Sequence, residues 1–404
     1  MQEGFKKLFA LCAFPRGVNG LELGPESIPD VTVVTEDYPP ISEIRRCVFT
    51  CCKTGSKLIC GMEAIQFLAR RLFMLFTALF LLIIALFIGL FTYQPEPGTY
   101  VVVQQLPETA AWKPKDILDE WDSVDPLVQE GYRLVSESPK YMGPKAASED
   151  LRFTGNNLSC TNCHMKGGTQ QGSAAWAGIT RRFPQFGGRA NKVGSIEERI
   201  NGCMQRSMNG KKLPEESPQM KAIVAYMDWL GSDMPEDQIE SYKGYARLQI
   251  PDMAVDLDKG KQIYARDCAV CHGQDGQGIS SPNPSQGYLY PPLWGPDSYN
   301  DGAGMHRVIT AAEFIRSNMP FGMATLKNPK LSDEEAFHVA GYINSFSRPH
   351  KPDTGQDYPD LKLKPVSTPY GPWADDFSPE QHKYGPFPPI IDYYRETYNI
   401  TKTK

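Results

Sequence analysis

The chain contains the pentapeptide Cys160-Thr161-Asn162-Cys163-His164 and, 108 residues further on, the pentapeptide Cys268-Ala269-Val270-Cys271-His272. Both fit the pattern C-x-x-C-H, in which two thiols bond to the vinyl groups of one haem and the adjacent histidine binds the iron. A redox dithiol does not need the histidine, and a zinc site needs a second ligand pair nearby. The motifs therefore predict two covalently bound haem c groups. They are attached through Cys160, Cys163, Cys268 and Cys271, with His164 and His272 as axial ligands to iron.

Helical segments surround the two motifs in the same order. Asp125-Pro126 opens a helix that runs to about Glu137, and Ser217-Pro218 caps a helix from Met220 to Leu230. Ahead of the second motif, Leu257 to Tyr264 carries apolar residues at helical spacing. A capping box of Ser332 and Glu335 opens the last helix. This pattern predicts a mainly α protein with two tandem cytochrome c-like domains, an N-terminal transmembrane helix and an extended C-terminal tail.

The 404 residues divide into six expected segments. Residues 1–61 are interpreted as a cytoplasmic extension or as a mis-assigned start ahead of Met62. The other five are an anchor (62–93), a linker (94–112), a first cytochrome c domain with the catalytic haem (113–245), a second with the electron-exit haem (246–350), and an extended tail (351–404).

One apolar run predicts membrane attachment. Leu72 to Phe91 is uncharged and, at 20 residues, long enough to span a bilayer as a helix. Arg70 and Arg71 precede it, whereas residues 92–112 contain no Lys or Arg. The positive-inside rule then places the N-terminus in the cytoplasm and the haem motifs on the periplasmic side of the cytoplasmic membrane of a bacterium. A cleaved signal peptide is the alternative.

Charge and cysteine usage exclude other classes of protein. The net charge of −5 gives no reason to expect a nucleic-acid partner. Five of the ten cysteines precede Leu72; four of the others belong to the haem motifs, and Cys203 stands alone. The exported part is therefore expected to be stabilised by its cofactors and not by disulfides.

The sixth ligand of the second haem is predicted to be Met319. It lies 47 residues after His272 and is followed by Pro320, on an irregular stretch ahead of the last helix. A methionine ligand raises the reduction potential of a haem. Met323 is the alternative, and Met305 comes too early in the chain.

The first haem has two candidate sixth ligands. Met208 matches Met319 by position, but Cys203 is an unpaired thiol on a helix that begins at Ser195 and is expected to end near Asn209. Arg199, Cys203 and Ser207 follow each other at intervals of four residues, which predicts that they share one helix face. An arginine one turn from a thiol lowers its pKa and can bind anions.

Three stretches resemble the dihaem thiosulfate dehydrogenases. They are Arg199 to Gly210, Ala312 to Pro320, and Phe377 to Phe387, and the resemblance extends from about Trp112 to about Pro389. It implies histidine and cysteine ligands at the substrate-side haem, matched by His164 and Cys203. Histidine and methionine ligands are implied at the electron-exit haem, matched by His272 and Met319. The substrate residues of the family map onto Arg189, Arg199 and Ser207.

The resemblance also implies an activity. Two thiosulfate dianions are oxidised to tetrathionate, and the electrons pass to an acceptor cytochrome c or a membrane oxidase. Some members have a lysine before the ligand methionine, where this chain has Asn318. Two alternatives stay open: an electron shuttle or respiratory-complex subunit without its own substrate, and a related enzyme that reduces tetrathionate.

Overall fold

The computed structural model describes residues 57–92 and 112–404. The chain divides into two units, one ending at Gln105 and the other beginning at Leu106, and each is described by itself. The expected linker and most of the segment 1–61 lie outside the described residues.

The first unit contains one long helix, α1 (Lys57–Thr92). Its stretch Gln66–Leu90 is long and apolar enough to cross a membrane. The Thr77 hydroxyl donates a 2.7 Å hydrogen bond to the carbonyl of Phe73, so this polar group is satisfied within the helix. The predicted apolar helix is therefore present.

The second unit begins with the first haem motif and the helices around it. Its helices are α2 (Pro126–Ser136), α3 (Ser138–Tyr141), α4 (Met165–Gly168), α5 (Ile196–Met204) and α6 (Pro218–Trp229). The strands β1 (Gln185–Gly187) and β2 (Lys192–Gly194) form an antiparallel hairpin with Gln185 opposite Gly194. As the sequence predicts, the side chains of Asp125 and Ser217 cap α2 and α6, each followed by a proline.

The second haem motif lies in a matching set of helices. They are α7 (Leu257–Ile263), a wide helical turn (Tyr264–Cys268), α8 (Ala269–His272), α9 (Val308–Asn318) and α10 (Asp333–Ser345). The strands β3 (Ile279–Ser280) and β4 (Tyr288–Tyr290) are antiparallel. The predicted capping box of Ser332 and Glu335 is formed in both directions.

A glycine brings the first and last helices of each domain together. A Cβ atom on Gly131 of α2 would lie 2.0 Å from the carbonyl oxygen of Ala222 on α6. A Cβ atom on Gly260 of α7 would lie 2.3 Å from the carbonyl oxygen of His338 on α10. Only glycine permits these approaches. In each domain the glycine also lies against a tyrosine four residues after the contacted carbonyl, Tyr226 in the first and Tyr342 in the second. The two domains therefore share one helix crossing, as expected for tandem copies of one fold.

The C-terminal segment differs from its predicted extended form. It contains α11 (Pro379–Tyr384) and α12 (Pro388–Tyr398). Phe387, Ile390 and Tyr394 are almost fully buried in the hydrophobic core of the second domain. Prolines at the start of each helix and the cap from Ser378 favour helix locally, and burial of the apolar face stabilises it.

Candidate active site

The two motif histidines are oriented in the same way. Nδ1 of His164 lies 2.8 Å from the carbonyl oxygen of Ala174, and Nδ1 of His272 lies 2.8 Å from that of Pro291. A carbonyl at that position fixes Nδ1 as the protonated nitrogen and leaves Nε2 free to bind a metal. Both rings therefore have the orientation that an axial ligand needs.

Cys203 and His164 line the same cavity, which has a volume of about 170 Å³. The apolar part of the wall includes Trp176, Ile179 and Ile200. Over the described residues, the lining contains three cationic side chains, those of Arg182, Arg199 and Lys243, and no carboxylate. Such a lining suits an anion, because fixed positive charge without a facing carboxylate offsets the negative charge of the bound group.

The thiol of Cys203 is paired with Arg199. Nη1 of Arg199 lies 2.9 Å from Sγ of Cys203, one helical turn away on α5. Burial alone would raise the pKa of the Cys203 thiol, but the Arg199 guanidinium and the His164 imidazole lower it to about 6. The Arg199 side chain lines the cavity and is exposed to solvent there. Protein atoms surround the rest of the side chain. The site therefore favours a thiolate at Cys203, the form that binds iron or attacks sulfur.

Met208, the competing sixth ligand by position, is 3% exposed and packs in the hydrophobic core of the first domain with Met204 and Leu213. The geometry therefore supports Cys203 over Met208 as the group that faces His164. Sequence position alone left this choice open, because both residues lie at suitable spacing from the motif.

The predicted helix face with Arg199, Cys203 and Ser207 is wrong in one respect. Helix α5 ends at Met204, so Ser207 lies in the turn after it. The amide of Gly210 bonds back to the carbonyl of Met204, and Asn209 adopts a left-handed conformation with φ of 47°. This local closure ends the helix earlier than its apolar spacing suggested. In the described chain, Ser207 is not part of the cavity lining.

Arg189 is committed to the C-terminal segment. Its Nη1 donates to Asp357 at 2.7 Å and to the carbonyl of Gly302 at 3.0 Å. Asp357 also accepts from Arg206 at 2.6 Å and from Tyr370 at 2.8 Å. Arg189 is outside the cavity lining within residues 112–404. Its positive charge still affects the site. Cys203 raises the pKa of Arg199, and the charge of Arg189 lowers it.

Sequence reasoning missed Arg182 and Lys243 as wall residues of the cavity. Burial lowers the pKa of Arg182, and Glu240 acts in the opposite direction. The same Glu240 pairs with Lys243 at 3.2 Å. Arg182 follows another arginine, and no local pattern distinguishes the one that turns inward.

The second haem site combines His272 with the end of α9. His272 is 7% exposed, and burial lowers the pKa of its imidazole. Met319 directly follows α9. Its amide donates to the carbonyl of Ile315, and its side chain packs against the core of the second domain. Met323 is 60% exposed. The packing therefore supports Met319 over Met323.

The thiols are available for haem attachment. The five cysteines of residues 112–404 are unpaired. Arg206 and Arg348 each keep a buried Nε atom without a hydrogen-bond partner. Buried polar atoms are normally satisfied, so these two atoms can donate to a polar group of a bound cofactor. The residues present thus fit two haem c groups.

Two family models match this chain. The one described as "SoxA/TsdA, cytochrome c domain" matches residues 152–235, and the one described as "Cytochrome c" matches residues 257–347. The chain therefore contains two tandem cytochrome c domains and carries two covalently attached haem c groups, one in each match. Both C-x-x-C-H motifs fall inside the matched ranges.

Several named relatives match more than half of this chain. A thiosulfate dehydrogenase of Stutzerimonas stutzeri (strain A1501) is 43% identical over 226 residues, which are 56% of this chain and 69% of that protein. One from Allochromatium vinosum (strain ATCC 17899) is 35% identical over 266 residues, which are 65% of this chain and 90% of that protein. The solved thiosulfate dehydrogenase (TsdBA) from Marichromatium purpuratum, in its as-isolated form, is 34% identical with a TM-score of 0.52. That match covers 60% of this chain and half of the solved chain.

Proposed function

Because the chain belongs to the family of dihaem thiosulfate dehydrogenases, we propose that it oxidises two thiosulfate ions to tetrathionate at Cys203 of the first domain. The balanced reaction is 2 S₂O₃²⁻ → S₄O₆²⁻ + 2 e⁻. The observation that carries this proposal is the Cys203–Arg199 pair, in a cavity whose described lining is cationic. Two dianions approach each other only where fixed positive charge offsets their repulsion.

The arginines supply that positive charge. Arg199 beside Cys203 binds the first thiosulfate and directs its terminal sulfur towards Sγ. Arg182 and Lys243 add positive charge at the wall. The resemblance implies Arg189 and Ser207 as further substrate residues, but within residues 112–404 neither lines the cavity. Arg189 is held by Asp357 and acts on the site only through its charge.

Cys203 acts as the sulfur nucleophile. Its thiolate and one thiosulfate form a sulfur–sulfur bond with loss of two electrons, Cys–S⁻ + S₂O₃²⁻ → Cys–S–SSO₃⁻ + 2 e⁻. A second thiosulfate then attacks the sulfur attached to the sulfonate, releasing tetrathionate and restoring the thiolate. When bound, the two haem c groups accept one electron each. His164 and Cys203 would hold the first haem and His272 and Met319 the second, and the thiolate and methionine ligands would give the first haem the lower potential and the second the higher one.

The electrons then leave through the second domain to an acceptor cytochrome or oxidase outside the chain. We place the protein on the periplasmic face of the membrane, tethered by Gln66–Leu90 of α1. A cleavable signal sequence has the same composition, and the two possibilities differ in whether the mature chain keeps these residues.

The test is reduction of the purified protein by its substrate. Thiosulfate alone is expected to reduce both haems, whereas a shuttle without its own substrate needs a protein donor. In parallel, low-temperature electron paramagnetic resonance of the oxidised protein is expected to show a thiolate-type low-spin signal. The Cys203→Ala variant is expected to lose that signal and thiosulfate-driven reduction, while Met208→Leu keeps both. A thiolate signal that persists in Cys203→Ala contradicts the ligand assignment.

A further inference from the structure

A buried asparagine precedes the proposed methionine ligand of the second haem. Asn318 is the last residue of α9 and is 1% exposed. Its Nδ2 donates to the carbonyls of Phe314 and Gly172, both at 2.8 Å, and its Oδ1 accepts from Nε2 of Gln170 at 2.6 Å. One of these bonds stays in its own helix, and the other two reach the first domain.

The contacted residues belong to the segment that orients the first histidine. Ala174, two residues after Gly172, provides the carbonyl that accepts from Nδ1 of His164. Nε2 of Gln170 also lies 3.6 Å from the sulfur of Met165, the residue directly after His164. The segment 170–174 therefore touches Asn318 at one end and His164 at the other.

The two domains pack tightly at this point. Gly172 has φ of 77°, and a Cβ atom on it would lie 3.2 Å from Cβ of Ser317 on α9. A side chain at Gly172 would be strained by its own backbone and crowded by α9. The contact therefore requires glycine at position 172 on one side and asparagine at position 318 on the other. Asn318 forms hydrogen bonds with groups that burial would otherwise leave without partners.

We propose that Asn318 is a positioning residue that couples the two haem sites, by holding the Met319 segment against the loop that orients His164. This one buried side chain then sets the ligand geometry at both irons. It also fixes the position of one domain relative to the other, on which electron transfer between the haems depends. This inference rests on the axial ligands of the proposed function, but not on the substrate.

The chain offers a matched control. Asn344 on α10 is also 1% exposed and also makes buried hydrogen bonds, to the carbonyl of Met305 at 3.0 Å and from the hydroxyl of Tyr299 at 3.2 Å. Those partners belong to the second domain. Asn344→Ala therefore removes a buried asparagine of the same domain without touching the segment 170–174.

The experiment compares Asn318→Ala, Gln170→Ala and Asn344→Ala as full-length proteins with both haems attached. Each is titrated with a chemical reductant and examined by electron paramagnetic resonance, so thiosulfate turnover is not needed. Asn318→Ala is expected to shift the signals of both haems and to change the reduction equilibrium of the first by up to about fivefold, the size of one lost hydrogen bond. Gln170→Ala, made in the first domain, is expected to shift the signal of the second haem.

Asn344→Ala is expected to leave the first haem unchanged. The proposal is overturned if Asn318→Ala alters only the second haem, or if Asn344→Ala shifts the first haem equally. If Asn318→Ala does not fold, Gln170→Ala decides by itself: an unchanged second haem overturns the proposal. If the variants behave as expected but thiosulfate does not reduce the unchanged protein, the proposed function is refuted and the coupling role of Asn318 is not.

Discussion

Replacement of Arg199 by alanine tests the substrate site most directly. The guanidinium lies 2.9 Å from the sulfur of Cys203 and is one of three cations in the described lining of the cavity. Haem attachment depends on the motif cysteines, so Arg199→Ala is expected to keep both haems. The variant loses a charge-assisted donor for a dianion, and it loses the charge that favours the Cys203 thiolate.

The size of the effect follows from the lost interaction. A hydrogen bond to a charged group contributes about 1.5–3 kcal/mol. At about 1.4 kcal/mol per factor of ten, kcat/KM for thiosulfate is expected to fall by about ten- to a hundred-fold. Arg199→Lys keeps the positive charge but loses the planar guanidinium group. Its kcat/KM is therefore expected to lie between those of the unchanged protein and Arg199→Ala.

The assay is steady-state oxidation of thiosulfate with an artificial electron acceptor, after haem content has been matched between variants. Arg152→Ala is the control, because it removes one positive charge from the same domain at an ion pair with Glu149. If Arg199→Ala turns over within twofold of the unchanged protein, Arg199 does not bind substrate. An equal loss in Arg152→Ala attributes the effect to net charge and not to the site.

Two further predictions concern stability and membrane attachment. Burial, with a contribution from Arg348, lowers the pKa of His306 to about 4, whereas an unfolded histidine has a pKa of about 6.5. The unfolded state therefore binds more protons between these values, and the free energy of unfolding is expected to fall by at most about 2 kcal/mol from pH 7 to pH 5. Chemical denaturation at the two pH values should show this dependence reduced in His306→Gln and retained in His350→Gln, since His350 is exposed; equal slopes in all three proteins contradict it. A chain that begins at Gly98 behind a cleavable signal is expected to be released in soluble form with both haems. The full chain is expected to stay in the membrane during alkaline extraction. Loss of haem from the shortened chain would assign a structural role to the N-terminal part.

Tertiary structure decided how the predicted residues are used. Cys203 and Met208 both have suitable spacing from the first motif, and only the packed domain turns one towards His164 and the other into the core. The spacing of Ser207 predicts that it lies on the helix, but the helix ends at Met204. A helix end depends on which carbonyls find partners outside the helix, and apolar spacing does not report this.

The haem motifs, the helix starts and the apolar helix can be predicted from local sequence, because each depends on groups a few residues apart. Two thiols and a histidine within five residues define haem attachment, and a serine caps an amide three residues later. The partners of Arg189 and Asn318 are Asp357 and Gln170, which lie 168 and 148 residues away in the chain. No local pattern indicates such contacts, because they form only when folded domains bury complementary polar groups against each other. That burial pairs Arg189, a predicted substrate residue, with the C-terminal segment, and it places Asn318 against the segment that orients His164.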